Sequence, residues 1–288
     1  MRQIDIRVPR QHYAPGESVR GEVVAKCDNP FNCNRLSLLL LGTAETRIKI
    51  RIGDSYYTCR ETGKLVNEYV EFCLNTEIPE GESTWPFEFQ LPEDLPPSYV
   101  GSHGEVSYKL YAKAEISWAL DPTRQVPLWM RSEPQHLPPR PLRSSLEAKS
   151  GMVEVELPRD VLSLGEPLPV RIMLRQDPRI RGARFELRFT EWARAEGHER
   201  RTRRTISSLF VKKDELSYES WATIPVETSD QWPPVLDLPF LKTSYSLKVT
   251  ADIPWAFDRS KTFPLRVGAS QRDAFEDSDF DFSIEAWQ

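Results

Sequence analysis

The sequence has little cysteine, histidine or glycine and no long apolar run, and each shortage removes a class of function. Its four cysteines, Cys27, Cys33, Cys59 and Cys73, include no Cys-x-x-Cys pair. The compact zinc ribbons and redox motifs that need that spacing are therefore excluded. Buried thiols in a reducing compartment are the expectation, and a metal gathered by strand pairing stays open. His12, His103, His136 and His198 lie far apart, and there is neither a Gly-x-Ser-x-Gly elbow nor a phosphate-cradling glycine loop. No nucleophile, base and orienting acid can be picked out, so no catalytic residue, cofactor or metal ligand is assigned. No run approaches the length of a membrane span. The opening MRQIDIRVPRQHY alternates polar and apolar residues where a signal peptide would carry an apolar core. A soluble, unexported, cytoplasmic chain is expected, with peripheral membrane association only through a partner.

Proline is abundant instead, 24 residues against 13 glycines in a chain of 288. Proline belongs at strand edges, turns and connectors rather than inside helices, so this composition favours β-structure. The formal charge of −5 is unevenly placed. From Ser270 to Gln288 six acids face the single Arg272, which accounts for the whole excess and leaves the rest neutral. A neutral body argues against nucleic acid as a ligand, because phosphate backbones require clustered cations.

Period-two alternation dominates. In 107-SYKLYAKAEISW-118, Tyr108, Leu110, Ala112, Ala114, Ile116 and Trp118 share one face. That pattern predicts a long strand with one buried side. In 35-RLSLLLLGTAETRIKIRIG-53, Leu36, Leu38 and Leu40 are in phase with Ile48, Ile50 and Ile52, which predicts one long strand or two in sequence. Strands are also expected at 153-VEVEL-157, 170-VRIMLR-175 and 184-RFELRF-189. No stretch keeps an apolar pattern at helical spacing.

Three blocks repeat in the same order. The turn in 15-PGESVRGEVVAK-26 answers that in 164-LGEPLPVRIMLR-175, 85-WPFEFQLP-92 answers 232-WPPVLDLP-239, and 107-SYKLYAKAEI-116 answers 244-SYSLKVTADI-253. Two copies of one antiparallel sandwich follow, at 1–132 and 151–269, with a proline-rich connector at 133–150 and an acidic, aromatic tail at 270–288.

The turn Tyr13–Glu17 with Val19, Gly21 and Val23, the run Leu40–Ala44, and 86-PFEFQLPEDLPPSYVGSHGEVSYKLYAKAEI-116 together resemble the amino-terminal lobe of arrestin-domain proteins, the α-arrestin branch most of all. Through Leu164–Glu166, 184–189 and 243–253 the second half resembles the carboxy-terminal arrestin lobe. The resemblance implies an all-β fold of two tandem immunoglobulin-like sandwich lobes. It also implies no catalytic centre and a role as an adaptor or scaffold in protein transport or signalling, bound to receptor tails, trafficking components or ubiquitin ligases. The alternative from another class is a β-sandwich hydrolase or carbohydrate-binding module.

Candidate contacts are cationic. In arrestins the first strand carries basic residues that sense receptor phosphates, which implies such a role for Arg7 and Arg10 toward acidic or phosphorylated peptides. The family's paired lysines are absent here. Arg47, Lys49 and Arg51 form a second basic stripe, able to receive an acidic peptide or merely to keep an exposed sheet face soluble. The cluster 199-ERRTRRT-205 is expected near a hairpin of the second lobe. In the tail, Phe275, Phe280, Phe282, Ile284 and Trp287 are docking candidates amid acids, and the parity of 280, 282 and 284 suits strand addition at a sheet edge. In arrestins the tail folds back on the first lobe. Finally, 96-PPSY-99 fits the Pro-Pro-x-Tyr pattern that WW domains read, but its place before a strand makes it a structural segment with Tyr99 packed on its own lobe.

Overall fold

The computed structural model of the chain describes residues 2–117, 120–148, 150–255 and 257–270. The expected tail contacts at Phe275, Phe280, Phe282, Ile284 and Trp287, and the face position of Trp118, lie outside these residues. The described chain is built of strands, with one short 3-10 turn at Lys213–Glu215. None of its helices is long and apolar enough to cross a membrane. It divides into two units. The first holds Met1–Glu133 with Trp192–Arg200 and Leu238–Leu241; the second holds Pro134–Glu191, Arg201–Asp237 and Lys242 onward.

Strands of the first unit are β1 (Arg2–Arg7), β2 (His12–Tyr13), β3 (Ser18–Cys27), β4 (Phe31–Ile52), β5 (Ser55–Ile78), β6 (Gly81–Gln90), β7 (Tyr99–Val100), β8 (Gly104–Glu115) and β9 (Thr123–Met130). One sheet runs β1-β3-β6 and the other β2-β9-β8-β4-β5, with β7 also on β8. Alternation fixes which side is buried. Leu36, Leu38, Leu40, Ala44 and Ile48 of β4 and Tyr108, Leu110, Ala112 and Ala114 of β8 are buried, as are Val19, Val23 and Phe89 of the smaller sheet. Each such leucine or phenylalanine contributes about 1.5–3 kcal/mol by leaving water.

Strand β4 is a single strand of 22 residues, and its parity holds because both register shifts fall as extra residues on β5. Ile50 and Ile52 keep the parity of Leu40 without its burial, Ile50 being half-buried and Ile52 62% exposed. Pairing with β8 stops at Thr46↔Gly104, so the end of the β4–β5 hairpin is a two-stranded ribbon beyond the main sheet.

The second unit contains β10 (His136–Leu137), β11 (Leu142–Ala148), β12 (Gly151–Leu157), β13 (Val161–Leu162), β14 (Leu168–Gln176), β15 (Gly182–Ala195), β16 (His198–Lys212), β17 (Ala222–Val226), β18 (Leu241–Asp252), β19 (Arg259–Val267) and β20 (Ala269–Ser270). Its sheets are β11-β12-β14-β17 and β13-β19-β18-β15-β16, with a small β10-β20 pair. The end of β15 and the start of β16 cluster with the first unit. Segment 133–150 supplies both β10 and β11.

The internal repeat is physical. Gly16 and Gly165 hold the same left-handed turn position, with φ of 80° and 92°, where glycine avoids the Cβ clash. Each turn closes the same way, Glu17 N–H donating to Ala14 O and Glu166 N–H to Ser163 O. Tyr108 donates its hydroxyl to Pro96 O at 2.6 Å, and Tyr245 donates to Pro233 O at 2.6 Å. The bridge Val100↔Glu105 recurs as Asp237↔Lys242. Ile116 N–H binds the Asp121 carboxylate, and Ile253 N–H binds that of Asp258. After the glycine turn one constant offset relates every one of these pairs, so 96-PPSY-99 corresponds to 233-PPVL-236. The expected match of 85-WPFEFQLP-92 with 232-WPPVLDLP-239 is thereby corrected. Trp85 sits in β6, whereas Trp232 lies in a loop and stacks on Tyr245.

Candidate interaction site on the first sandwich

An open groove of about 810 Å³ crosses the outer face of the β1-β3-β6 sheet. Register builds it: Arg7 pairs with Glu22, Glu22 with Pro86, Gly21 with Phe87 and Arg20 with Glu88. A Cβ on Gly21 would stand 2.3 Å from Arg7 O and 2.8 Å from the Phe87 ring, so the bare glycine leaves that ring its place. The period-two pattern of β1 buries Ile4 and Ile6 and turns Arg7 outward.

The groove's Arg7 and Arg20, and Lys26 on the same sheet, are already matched. Arg7 Nη1 donates to Glu82 Oε1 at 2.9 Å, Lys26 Nζ lies 2.9 Å from Glu82 Oε2, and Arg20 Nη2 lies 2.8 Å from Glu88 Oε1. Hydrogen bonds from Lys26 and Arg7 hold the Glu82 carboxyl below its ordinary value, and Arg20 and Ser18 do the same to Glu88. These ion pairs are solvent-exposed, so each is worth little and exchanges readily for another anion.

The five cations named from the sequence do not converge. Arg7 lines the groove. Arg10 instead folds over the Tyr13 ring, 4.7 Å from its centroid, and lies 2.9 Å from Glu17. Glu17 is held low first by the Ala14 backbone N–H and then by Arg10, so Arg10 braces the turn before β3. Arg47, Lys49 and Arg51 share the exposed side of β4. There Arg47 makes a two-pronged bond to Glu45 at 2.7 and 2.8 Å, and Arg51 bonds Gly53 O and approaches Asp54. Sequence reasoning missed Glu82 and Arg20, and read Gly21 only as part of a strand-start motif. The outward parity of Glu82 and Glu88 in 81-GESTWPFEFQ-90 was available as a signal, but only the β3–β6 register shows which cations they meet.

The Pro-Pro-x-Tyr segment is locked in place. Tyr99 is 4% exposed, Pro96 O accepts from Tyr108, Ser98 N–H donates to Met130 O, and Ser98 Oγ accepts from Met130 N–H. The thiols are free, Cys33 being fully buried with its pKa pushed up to about 11, chiefly by desolvation and then by Cys73. Among the described residues no group of three or more His, Cys, Asp or Glu side chains is placed to hold a metal ion.

Residues 2–129 match the family described as arrestin (or S-antigen), N-terminal domain. Arrestin domain-containing protein 17 of Caenorhabditis elegans is 27% identical over 126 residues, 39% of this chain. That stretch is 30% of the relative's own length, so the chain spans under a third of it. The matched region coincides with the described strands of the first sandwich, from β1 to the last turn of β9. The first sandwich of this chain, residues 2–129, is thus similar to the arrestin N-terminal domain.

Proposed function

We propose that the protein is a non-enzymatic, arrestin-like adaptor that captures an extended acidic or phosphorylated segment of another protein in the groove across β1, β3 and β6. One observation carries the reading: Arg7 and Arg20 line a single open groove, each already holding an exposed glutamate of β6. A ligand carboxylate or phosphate can replace Glu82 or Glu88 without stripping a buried charge, and a guanidinium suits the two-pronged geometry of either anion. In this reading the protein serves transport or signalling in the cytoplasm, reaches membranes only through its partner, and is regulated by its own acidic segment at 270–288.

Titration of the full chain with a fluorescent peptide of alternating glutamate and phosphoserine tests the groove. Arg7→Ala together with Arg20→Ala is expected to weaken binding by about tenfold or more, since a charge-assisted hydrogen bond contributes roughly 1.5–3 kcal/mol. Glu82→Gln should strengthen it by removing the resident competitor. Equal affinity across these variants, or no binding by wild type, sinks the reading.

A further inference from the structure

Strand β16 is the outermost strand of its sheet, bonded to β15 alone. Of its 15 residues only Val211 is buried. A long outer strand leaves alternate backbone N–H and C=O groups without a strand partner, which makes it a template for one more strand. This edge contains no proline, and its first half carries four arginines, among them Arg201, Arg203 and Arg204. Arg204 lies 5.1 Å over the Phe189 ring and Arg203 Nε reaches Thr190 Oγ1 at 3.5 Å. Among the described residues none of these three arginines has an ion-pair partner, in contrast to Arg7 and Arg20.

The edge has two distinguishable faces. Arg204 shares the side of Phe189, and by period two so do Thr202 and Ile206. Arg203 and Thr205 lie on the other side, near Thr190 and Glu186, together with Arg201. The stretch 277-DSDFDFSIE-285 has the complementary alternation. Asp277, Asp279, Asp281 and Glu285 fall on one parity, and Phe280, Phe282 and Ile284 on the other.

We propose that residues 277–285 of this same chain add to the outer edge of β16 as a further strand, Asp279 and Asp281 meeting Arg201 and Arg203 while Phe280, Phe282 and Ile284 extend the side of Thr202, Arg204 and Ile206. Opposite charges facing across strands favour this register, and a slip by one residue would set Phe280 and Phe282 against Arg201 and Arg203. The connection reaches. Leu265 is the register partner of Tyr245, whose ring lies 5.2 Å from Phe189, beneath Arg204. Arg204 is thus three strands from Leu265, roughly 15 Å at about 4.8 Å per strand. Residues up to Ser270 are held in β19 and β20, and the nine steps from Ser270 to Asp279 can extend about 31 Å at about 3.4 Å per residue. The placement departs from the first-lobe tail docking that the arrestin resemblance implies, because the first strand's outward Arg7 is already paired and the β16 arginines are not. It goes beyond the groove reading and does not depend on it.

Amide hydrogen exchange on the full chain tests the placement, comparing wild type with Arg201→Glu/Arg203→Glu, with Asp279→Arg/Asp281→Arg, and with all four changes combined. In wild type, peptides from 199–208 and 277–285 should both be protected. Either reversal should speed exchange in both segments by about tenfold or more, and the combination should restore protection. The tail-side variant keeps the test sound should the β16 variant misfold, because it changes no residue of the described strands. Unprotected 277–285 in wild type, or reversal effects that fall on residues 2–7 instead of 199–208, would falsify it. Protection that rises with protein concentration would assign the segment to a second copy and also overturn it. Peptide binding in the groove responds to Arg7→Ala whatever the exchange result, so the two readings fail separately.

Discussion

Tyr108 and Tyr245 each bury a phenol whose hydroxyl has one described acceptor, the carbonyl of a proline twelve residues earlier. Burial is the main reason both phenols titrate well above the ordinary value of 10.0. Removing the hydroxyl leaves a part-buried carbonyl without that donor, so Tyr108→Phe and Tyr245→Phe should each destabilise by about 1–2 kcal/mol. Urea unfolding of the single variants measures this, and a loss near zero would mean that water replaces the phenol. The same bond explains why 96-PPSY-99 is no ligand. Pro96 holds the tyrosine, Tyr99 is buried, and Leu236 is buried at the equivalent place in the second unit. At this scale the sequence was informative about which residues recur and silent about which atoms they bond.

The strands were legible because a half-buried sheet imposes period two on the chain, and β4, β8, β12, β14 and β15 all carry it. What alternation cannot report is where a strand loses its neighbours. Ile52 has the parity of Leu40 yet sits past Thr46, the last residue of β4 to pair with β8. The Trp-Pro doublets likewise suggested an equivalence that the hydrogen bonds assign elsewhere, since a short doublet has no register of its own. The site was less legible still: Arg7 was found by parity, but its neutralising Glu82 lies 75 residues away on another strand. Gly42 shows what close packing adds to the pattern. A Cβ there would come within 2.6 Å of the Tyr108 ring and 2.7 Å of Val66, both held by their neighbours. Gly42→Ala should therefore cost about 1–3 kcal/mol through overpacking, although alanine suits a strand better than glycine. A variant as stable as wild type in urea would show that β4 and β8 can separate without loss.

Across the whole molecule, stability against pH should form a plateau with two limbs of different chemistry. On the acid side Asp160 is held below its ordinary 3.8, first by its hydrogen bonds from Arg266, at 2.6 and 2.8 Å, and further by the Arg140 N–H. Arg266 also donates to Pro138 O, so this carboxylate ties the segment at 138–140 to β19. Glu17, Glu82, Glu88, Asp121 and Asp177 are depressed as well, through bonds to nearby donors. A depressed folded value means that stability is fully present above the ordinary carboxyl range and is lost as pH falls through the folded values. The two tyrosines work in the opposite sense. Their raised folded values mean stability is complete below 10.0 and is lost as pH climbs past it. Calorimetric Tm should therefore be flat from about pH 5 to 9 and fall on both sides. Asp160→Asn removes one charge and an acceptor of the Arg266 fork, so it should lower Tm on the plateau and flatten the acid limb while leaving the alkaline limb in place. The tyrosine-to-phenylalanine pair should do the reverse. An acid limb unchanged by Asp160→Asn would mean that the exposed glutamates of the first sandwich, rather than the Asp160–Arg266 pair, set where the protein fails in acid.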